Sequence, residues 1–345
     1  MMAVLTVLTK REIGEITADY GLPKIASVRL VRQGAVNTQY LVETVKGKFV
    51  LKIDEVKSEI EVKREQDLLT FLRKHGFPCP VPLPDRNSRH YRDYDGKSLS
   101  VYRYIDGRTV DAEHVTSGQL ENVGRVLADL HVIGKAYKKG IENRFGFDRV
   151  AEIYFDVRGR LPHYFKKITR TLDDEVEYLH HYLEGKLPKG IIHGDLLADK
   201  LMFKGDKVVA VLDFETACRG KFIFDLATAV NALCFTAKKG YSLKKFEALI
   251  GGYEGLRTLS LAEWDAFPNE LRFAAFRFTV TRLRDFFLNP ADERERINKE
   301  FQEFYDRLRI LRREREGGME ALLMAMATGY DYRKYQKVKA VAKRR

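Results

Sequence analysis

Residues 191–225 constrain this chain more than any other stretch. They read IIHGDLLADKLMF, then KGDKVVAV, then LDFETACRGKFIFD. An apolar pair runs into His193-Gly194-Asp195, a short apolar strand covers 201–203, and Gly205-Asp206 turns into a second apolar strand that delivers Leu212-Asp213-Phe214. Two short apolar runs joined by Gly-Asp fit a β-hairpin. The expectation is that two carboxylates, Asp195 and Asp213, come to the same end of one hairpin.

That pairing suits phosphoryl transfer from ATP. One carboxylate accepts the proton of an attacking hydroxyl, and the other holds the magnesium that neutralises the phosphates. His193-Gly194-Asp195 resembles the catalytic loop, and Asp213-Phe214 the metal-binding segment, of protein-kinase-like enzymes. More closely, the stretch resembles the aminoglycoside phosphotransferase and choline kinase superfamily, whose pattern is His-Gly-Asp, four residues, Asn, then Ile-Asp-Phe. Lys200 stands where that pattern has its Asn. An amide oxygen there would ligate a second magnesium and an ammonium cannot. Lys200 therefore replaces the second metal as a fixed cation, swings aside for Asp199 or water, or cripples the enzyme.

The 345 residues suffice for one large domain or two ordinary ones. A formal net charge of +12 suits an anionic ligand such as a nucleotide, but it is spread along the chain and rises at the C-terminal end, which gives no particular support to nucleic acid as partner. Cys79, Cys218 and Cys234 are an odd number without metal-ligand spacing, which argues against a disulfide framework and for a reducing cytoplasm. No apolar run approaches the ~18–20 residues needed to cross a bilayer, and the N-terminal stretch lacks a secretory signal.

Along the chain, Thr9 with Glu12 is a capping box and Tyr20-Gly21 a stop, so a short helix lies between them. From Ser27 the pattern turns to strands: VRLV, a loop containing Gly34 and Asn37, TQYLVETV, Lys46-Gly47 and KFVLKI, an antiparallel meander. Lys52 lies among apolar neighbours on the third strand, and residues 59–75 form a helix with Glu61 and Glu65 on the face of Leu68, Leu69 and Leu72. A strand lysine followed by a helix with an inward glutamate is the pair that positions the α and β phosphates in kinases. Gly76 and the prolines 78, 80, 82 and 84 force an extended connection, and a strand follows over 98–105. Helices are expected from 117, over 162–184, from 224 to 235, and over 243–252, 261–284 and 292–316, with 137–160 irregular. His131 is expected to pack or cap, and His180-His181 to bind no metal.

The resemblance extends over about residues 3–315 and is closest to the type II homoserine kinases. It rests on Tyr20-Gly21-Leu22, Gly34-Ala35-Val36-Asn37-Thr38-Gln39-Tyr40, Phe49-Val50-Leu51, Phe77-Pro78-Cys79-Pro80, His193-Gly194-Asp195-Leu196, Phe224-Asp225-Leu226-Ala227 and the arginine-bearing run 271–283. It implies an α+β, bilobal protein-kinase-like fold: a nucleotide-binding antiparallel sheet with one helix over 1–105, a mainly helical catalytic lobe over 106–316, and a basic tail over 317–345. It also implies ATP and Mg2+ as cofactors and a small hydroxylated substrate, homoserine first. Asp195 is then the base, Asp213 the principal metal ligand, and Gly34 and Asn37 part of the phosphate lid. Lys52 holds the phosphates and Glu65, just ahead of the Leu-Leu pair, orients it. Backbone at Arg103, Tyr104 and Ile105 meets adenine, while His193 and Asp225 support the loop.

Overall fold

The computed structural model describes residues 6–31, 37–183, 185–236, 240–289 and 300–313. Gly34, the expected tail over 317–345 and part of the expected helix over 292–316 lie outside the described residues. The chain divides into two compact units: the first runs to Arg108 and takes back Val209–Glu215, and the second holds Thr109–Val208 and the chain from Thr216 onward.

In the first unit, α1 (Lys10–Asp19) starts on the Thr9–Glu12 capping box. An antiparallel sheet follows in the order β1 (Ile25–Val31), β2 (Thr38–Thr44), β3 (Gly47–Asp54), β5 (Lys97–Arg103) and β4 (Arg92–Tyr94). Side chains alternate across a strand. Phe49, Leu51 and Ile53 of β3 therefore share one face with Leu99 and Val101, and pack on Ile13 and Ile16 of α1. Burying each aliphatic chain contributes about 1.5–3 kcal/mol. Lys52 and Asp54 fall on the other face. The helix α2 (Glu59–Lys74) sits on that face, where Gln66 Nε2 donates to Ser100 Oγ at 3.0 Å and Ser100 pairs with Lys52 in the register. The returning segment is fastened here too: Val211 N–H donates to the Pro78 carbonyl at 2.8 Å and Phe214 meets Phe77 edge-on.

The second unit is mainly helical. Its helices are α3 (Ser117–Gly134), α4 (Phe147–Arg160), α5 (Lys166–Tyr182), α6 (Phe222–Leu233), α7 (Leu243–Glu254), α8 (Leu261–Arg282) and α9 (Gln302–Arg313). The expectation of irregular chain over 137–160 is corrected by α4. No side chain caps its start at Gly146, but Val150, Ile153, Tyr154 and Val157 recur at helical spacing and are buried. A strand β6 (Lys189–Ile192) pairs antiparallel with β9 (Cys218–Lys221). The chain also forms a hairpin around Gly205-Asp206 from β7 (Leu201–Lys204) and β8 (Lys207–Val211), the last three residues of which are counted with the first unit. All three cysteines are buried and free; burial pushes the thiols of Cys79 and Cys218 up to about 12.

The helices α3 and α7 touch through glycine. A Cβ on Gly124 would stand 2.0 Å from the Leu249 carbonyl oxygen and 2.6 Å from Tyr253 N, both backbone atoms. Alanine improves helix propensity by about 1 kcal/mol, but forcing two backbones apart costs about 1–3 kcal/mol or more. The clash wins: Gly124→Ala is expected to lower the thermal midpoint, as a melting curve would read.

Candidate active site

Four ionised groups of the first unit meet beside β3. The Lys52 ammonium lies 3.0 Å from Asp54 Oδ1, two residues along the same strand face. The direct pair expected between Lys52 and Glu65 is not formed. Glu65 Oε2 instead accepts from Lys57 Nζ at 2.7 Å, because Lys57 reaches in from the turn between β3 and α2 while Asp54 is nearer to Lys52. Glu61 is engaged in capping, accepting from Ser58 N–H and Oγ, which leaves Glu65 as the inward glutamate. Burial opposes the charge on Lys52, but Tyr102, Glu65 and Asp54 outweigh it and hold its pKa above the ordinary lysine value.

Asp213 also belongs to this unit and adopts φ +68°, a left-handed conformation that Asp tolerates and that marks backbone held in place by its surroundings. Two residues on, Glu215 pairs with Lys57 at 3.1 Å. Burial, then the neighbouring Asp213, push the Glu215 carboxyl above its usual range. Asn37 accepts at Oδ1 from the Glu55 N–H at 3.3 Å, so it clasps the start of β2 to the end of β3. Of the expected adenine segment, Tyr104 N–H already donates to the Lys48 carbonyl at 3.0 Å. Arg103 and Tyr104 are exposed and Ile105 is half-buried.

In the second unit, the β6–β9 pairing ends at Ile192 opposite Cys218, and the chain beyond β6 is the His193-Gly194-Asp195 loop. Thr216 Oγ1 closes it by donating to the His193 carbonyl at 2.9 Å. Gly194 has φ +76°, and a Cβ there would press on the Thr216 carbonyl at 3.0 Å. The fully buried Asp225, in the first turn of α6, accepts from the His193 and Gly194 N–H groups at 2.7 and 2.8 Å. His131 Nε2 donates to Asp225 Oδ2 at 3.2 Å, and its Nδ1 accepts from the Tyr253 hydroxyl at 2.7 Å. The partners select the neutral tautomer, and burial, outweighing Asp225, keeps the imidazole pKa below its ordinary value. His131 is thus a bracing group, beyond the packing role expected of it.

Asp195 is gripped from α8. Arg277 Nη1 donates to Asp195 Oδ1 at 3.1 Å, and the guanidinium lies 3.9 Å from the Phe278 ring and 4.5 Å from that of Phe145. The arginine is 4% exposed and the aspartate side chain 23% exposed. Neither Arg277 nor Lys57 belongs to the motif pattern; the signal for Arg277 is a charge inside the apolar run FAAFRFTV, and Lys57, in the polar stretch DEVKSE, has none. Lys200 is ion-paired to Asp199 at 3.1 Å. Among the described residues no three His, Cys, Asp or Glu converge as a metal cage. Magnesium needs none, since it is commonly held by one or two carboxylates together with substrate phosphates. The hard oxygen of Asp213 fits that ion.

An antiparallel sheet with one capping-box helix on each face, followed by helices that brace a His-Gly-Asp loop, defines the class: an α+β, protein-kinase-like small-molecule phosphotransferase. The chain belongs to the phosphotransferase enzyme family, whose model matches residues 27–259. A homoserine kinase of Caulobacter sp. (strain K31) is 33% identical over 84% of this chain and 91% of its own length. One from Methylobacillus flagellatus is 31% identical over 85% and 90%. Among solved structures, an amicoumacin kinase in complex with AMP-PNP, Ca2+ and Ami superposes with a TM-score of 0.66 at 17% identity, over 87% of this chain and 94% of that one. Among the described residues no helix is long and apolar enough to cross a membrane.

Proposed function

We propose that this protein transfers the γ-phosphoryl group of ATP to the hydroxyl of a small amino alcohol, with homoserine the first candidate. The observation that carries the substrate is the likeness to homoserine kinases along more than four-fifths of the chain. In this reading Asp195 accepts the hydroxyl proton at Oδ2, while Arg277 holds Oδ1 and fixes the carboxylate rotamer. Asp213 holds Mg2+, which would neutralise charge on the phosphates. Lys52 faces the phosphates, and the 103–105 backbone meets adenine through groups other than the Tyr104 amide. The 1–105 sheet region is the nucleotide-binding lobe, 106–316 the catalytic lobe, and buried reduced thiols suit the cytoplasm.

A second reading is favoured by Lys200: a protein that binds nucleotide to regulate a partner without turnover. An unscreened ammonium about 4 Å from a divalent cation costs on the order of 8 kcal/mol at an effective dielectric near 20, so a lysine and a second metal exclude each other there. The two readings separate in an ADP-release screen over homoserine, serine, choline, methylthioribose and aminoglycosides, with Lys200→Asn run alongside. Turnover with homoserine above the others is expected. No ADP release with any of these acceptors, while ATP still raises the melting temperature, would favour the regulatory reading. A choline or aminoglycoside preference would replace homoserine within the same chemistry.

A further inference from the structure

Lys57 has no place in the motif pattern, yet it is held by three ion pairs within the first unit. It precedes Ser58, whose capping box fixes the start of α2, and its side chain is 13% exposed. Its ammonium reaches three carboxylates from three separate stretches: Glu65 of α2 at 2.7 Å, Glu215 of the returning segment at 3.1 Å, and Asp54 at the end of β3 at 3.5 Å. An ammonium offers three donors, which matches three acceptors set around it.

Glu215 lies two residues after Asp213, so whatever anchors Glu215 also limits where Asp213 can point. We infer that Lys57 is a positioning residue that clamps the Asp213-Phe214-Glu215 segment to α2 and so presents Asp213 to the metal of Mg·ATP. This rests on the phosphotransferase reading and adds to it. In the clamp, Lys57 acts through Glu215 and does not itself touch the phosphates. Groups that orient a metal ligand typically change metal affinity or activity by about 10–100-fold when lost.

The test is ATP binding by calorimetry, titrated with Mg2+ and repeated in EDTA, on wild type, Lys57→Met, Lys57→Arg and Glu215→Gln. Lys57→Met is expected to raise the Mg2+ concentration for half-maximal enhancement of ATP binding about 10-fold or more, with affinity in EDTA nearly unchanged. Lys57→Arg should recover part of the loss, because a guanidinium keeps the charge in a different geometry. Glu215→Gln should reproduce the shift, which keeps the test decisive if Lys57→Met fails to fold. An unchanged Mg2+ requirement in both Lys57→Met and Glu215→Gln overturns the clamp. So does an equal loss of affinity in EDTA, which would make Lys57 a phosphate ligand. If wild type itself shows no Mg2+-dependent ATP binding, the phosphotransferase reading fails first and takes the clamp with it.

Discussion

Asp195→Asn is expected to lower turnover by about 10²–10⁴-fold, the usual contribution of a positioned proton acceptor, while the protein keeps its melting temperature and its affinity for ATP. The amide is nearly isosteric, so the effect must come from orientation. Arg277 has only donors to offer, and its Nη1 faces Oδ1 of Asp195. The asparagine oxygen will therefore turn toward the guanidinium, and its NH2 group will take the position of Oδ2. A substrate hydroxyl would then meet a donor in place of an acceptor. ADP-release kinetics at saturating substrate check this, and a variant that retains more than a tenth of wild-type turnover would remove Asp195 from the role of base. The expected signature is a change in kcat with little change in the KM for ATP, since the loss is confined to the proton-accepting step.

The sheet of the first unit was legible because two-residue periodicity is a local property. Phe49, Leu51 and Ile53 alternate with Val50 and Lys52 in the sequence, and that alternation sends Lys52 to the face that carries α2. The capping box at Thr9 is equally local, a hydroxyl with a glutamate three residues on, and the structure adds a second of the same form at Ser58. What stayed hidden depended on distant partners. Glu65 and Lys57 are eight residues apart, and nothing in their spacing says that Lys57 will claim the carboxylate while Asp54 takes Lys52. Arg277 is 82 residues from Asp195, and His131 is 94 from Asp225. Each is a polar residue inside an apolar helix, a pattern that announces a buried partner without naming it. The helix α4 was overlooked for another reason. It begins at Gly146 without a side-chain cap, so the start signal was missing although its buried face recurs at positions 150, 153, 154 and 157.

Asp225→Asn is expected to have the largest effect on stability, about 1–3 kcal/mol at neutral pH for each buried donor left facing the amide NH2. Among the described residues the Asp225 carboxylate meets three donors: His193 N–H, Gly194 N–H and His131 Nε2. An asparagine supplies one acceptor oxygen, and its NH2 must face at least one of those donors. The pH dependence separates this account from a packing defect. Burial alone would raise the Asp225 pKa, but the hydrogen bond from His131, the electrostatic influence of the neighbouring imidazoles and the hydrogen bond from the His193 amide more than offset it and hold the carboxyl below its ordinary value. A carboxyl depressed on folding contributes stability that is present above its unfolded pKa, about 3.9, and is lost as pH falls through the folded value. His131 works at higher pH: its folded pKa lies below the unfolded value of about 6.5, so the unfolded chain binds the extra proton and stability declines as pH drops below about 6.5. Wild type should therefore lose stability in two stages on acidification, the first from His131 and the second, below about pH 4, from Asp225. The variant should lack the second stage, so the gap between the two urea midpoints is wide at pH 7 and closes below pH 4. A gap of constant width would mean that the substitution damages packing alone. The brace would then not depend on the charge that ties the start of α6 to the His193-Gly194 amides, the pair of N–H groups just before Asp195.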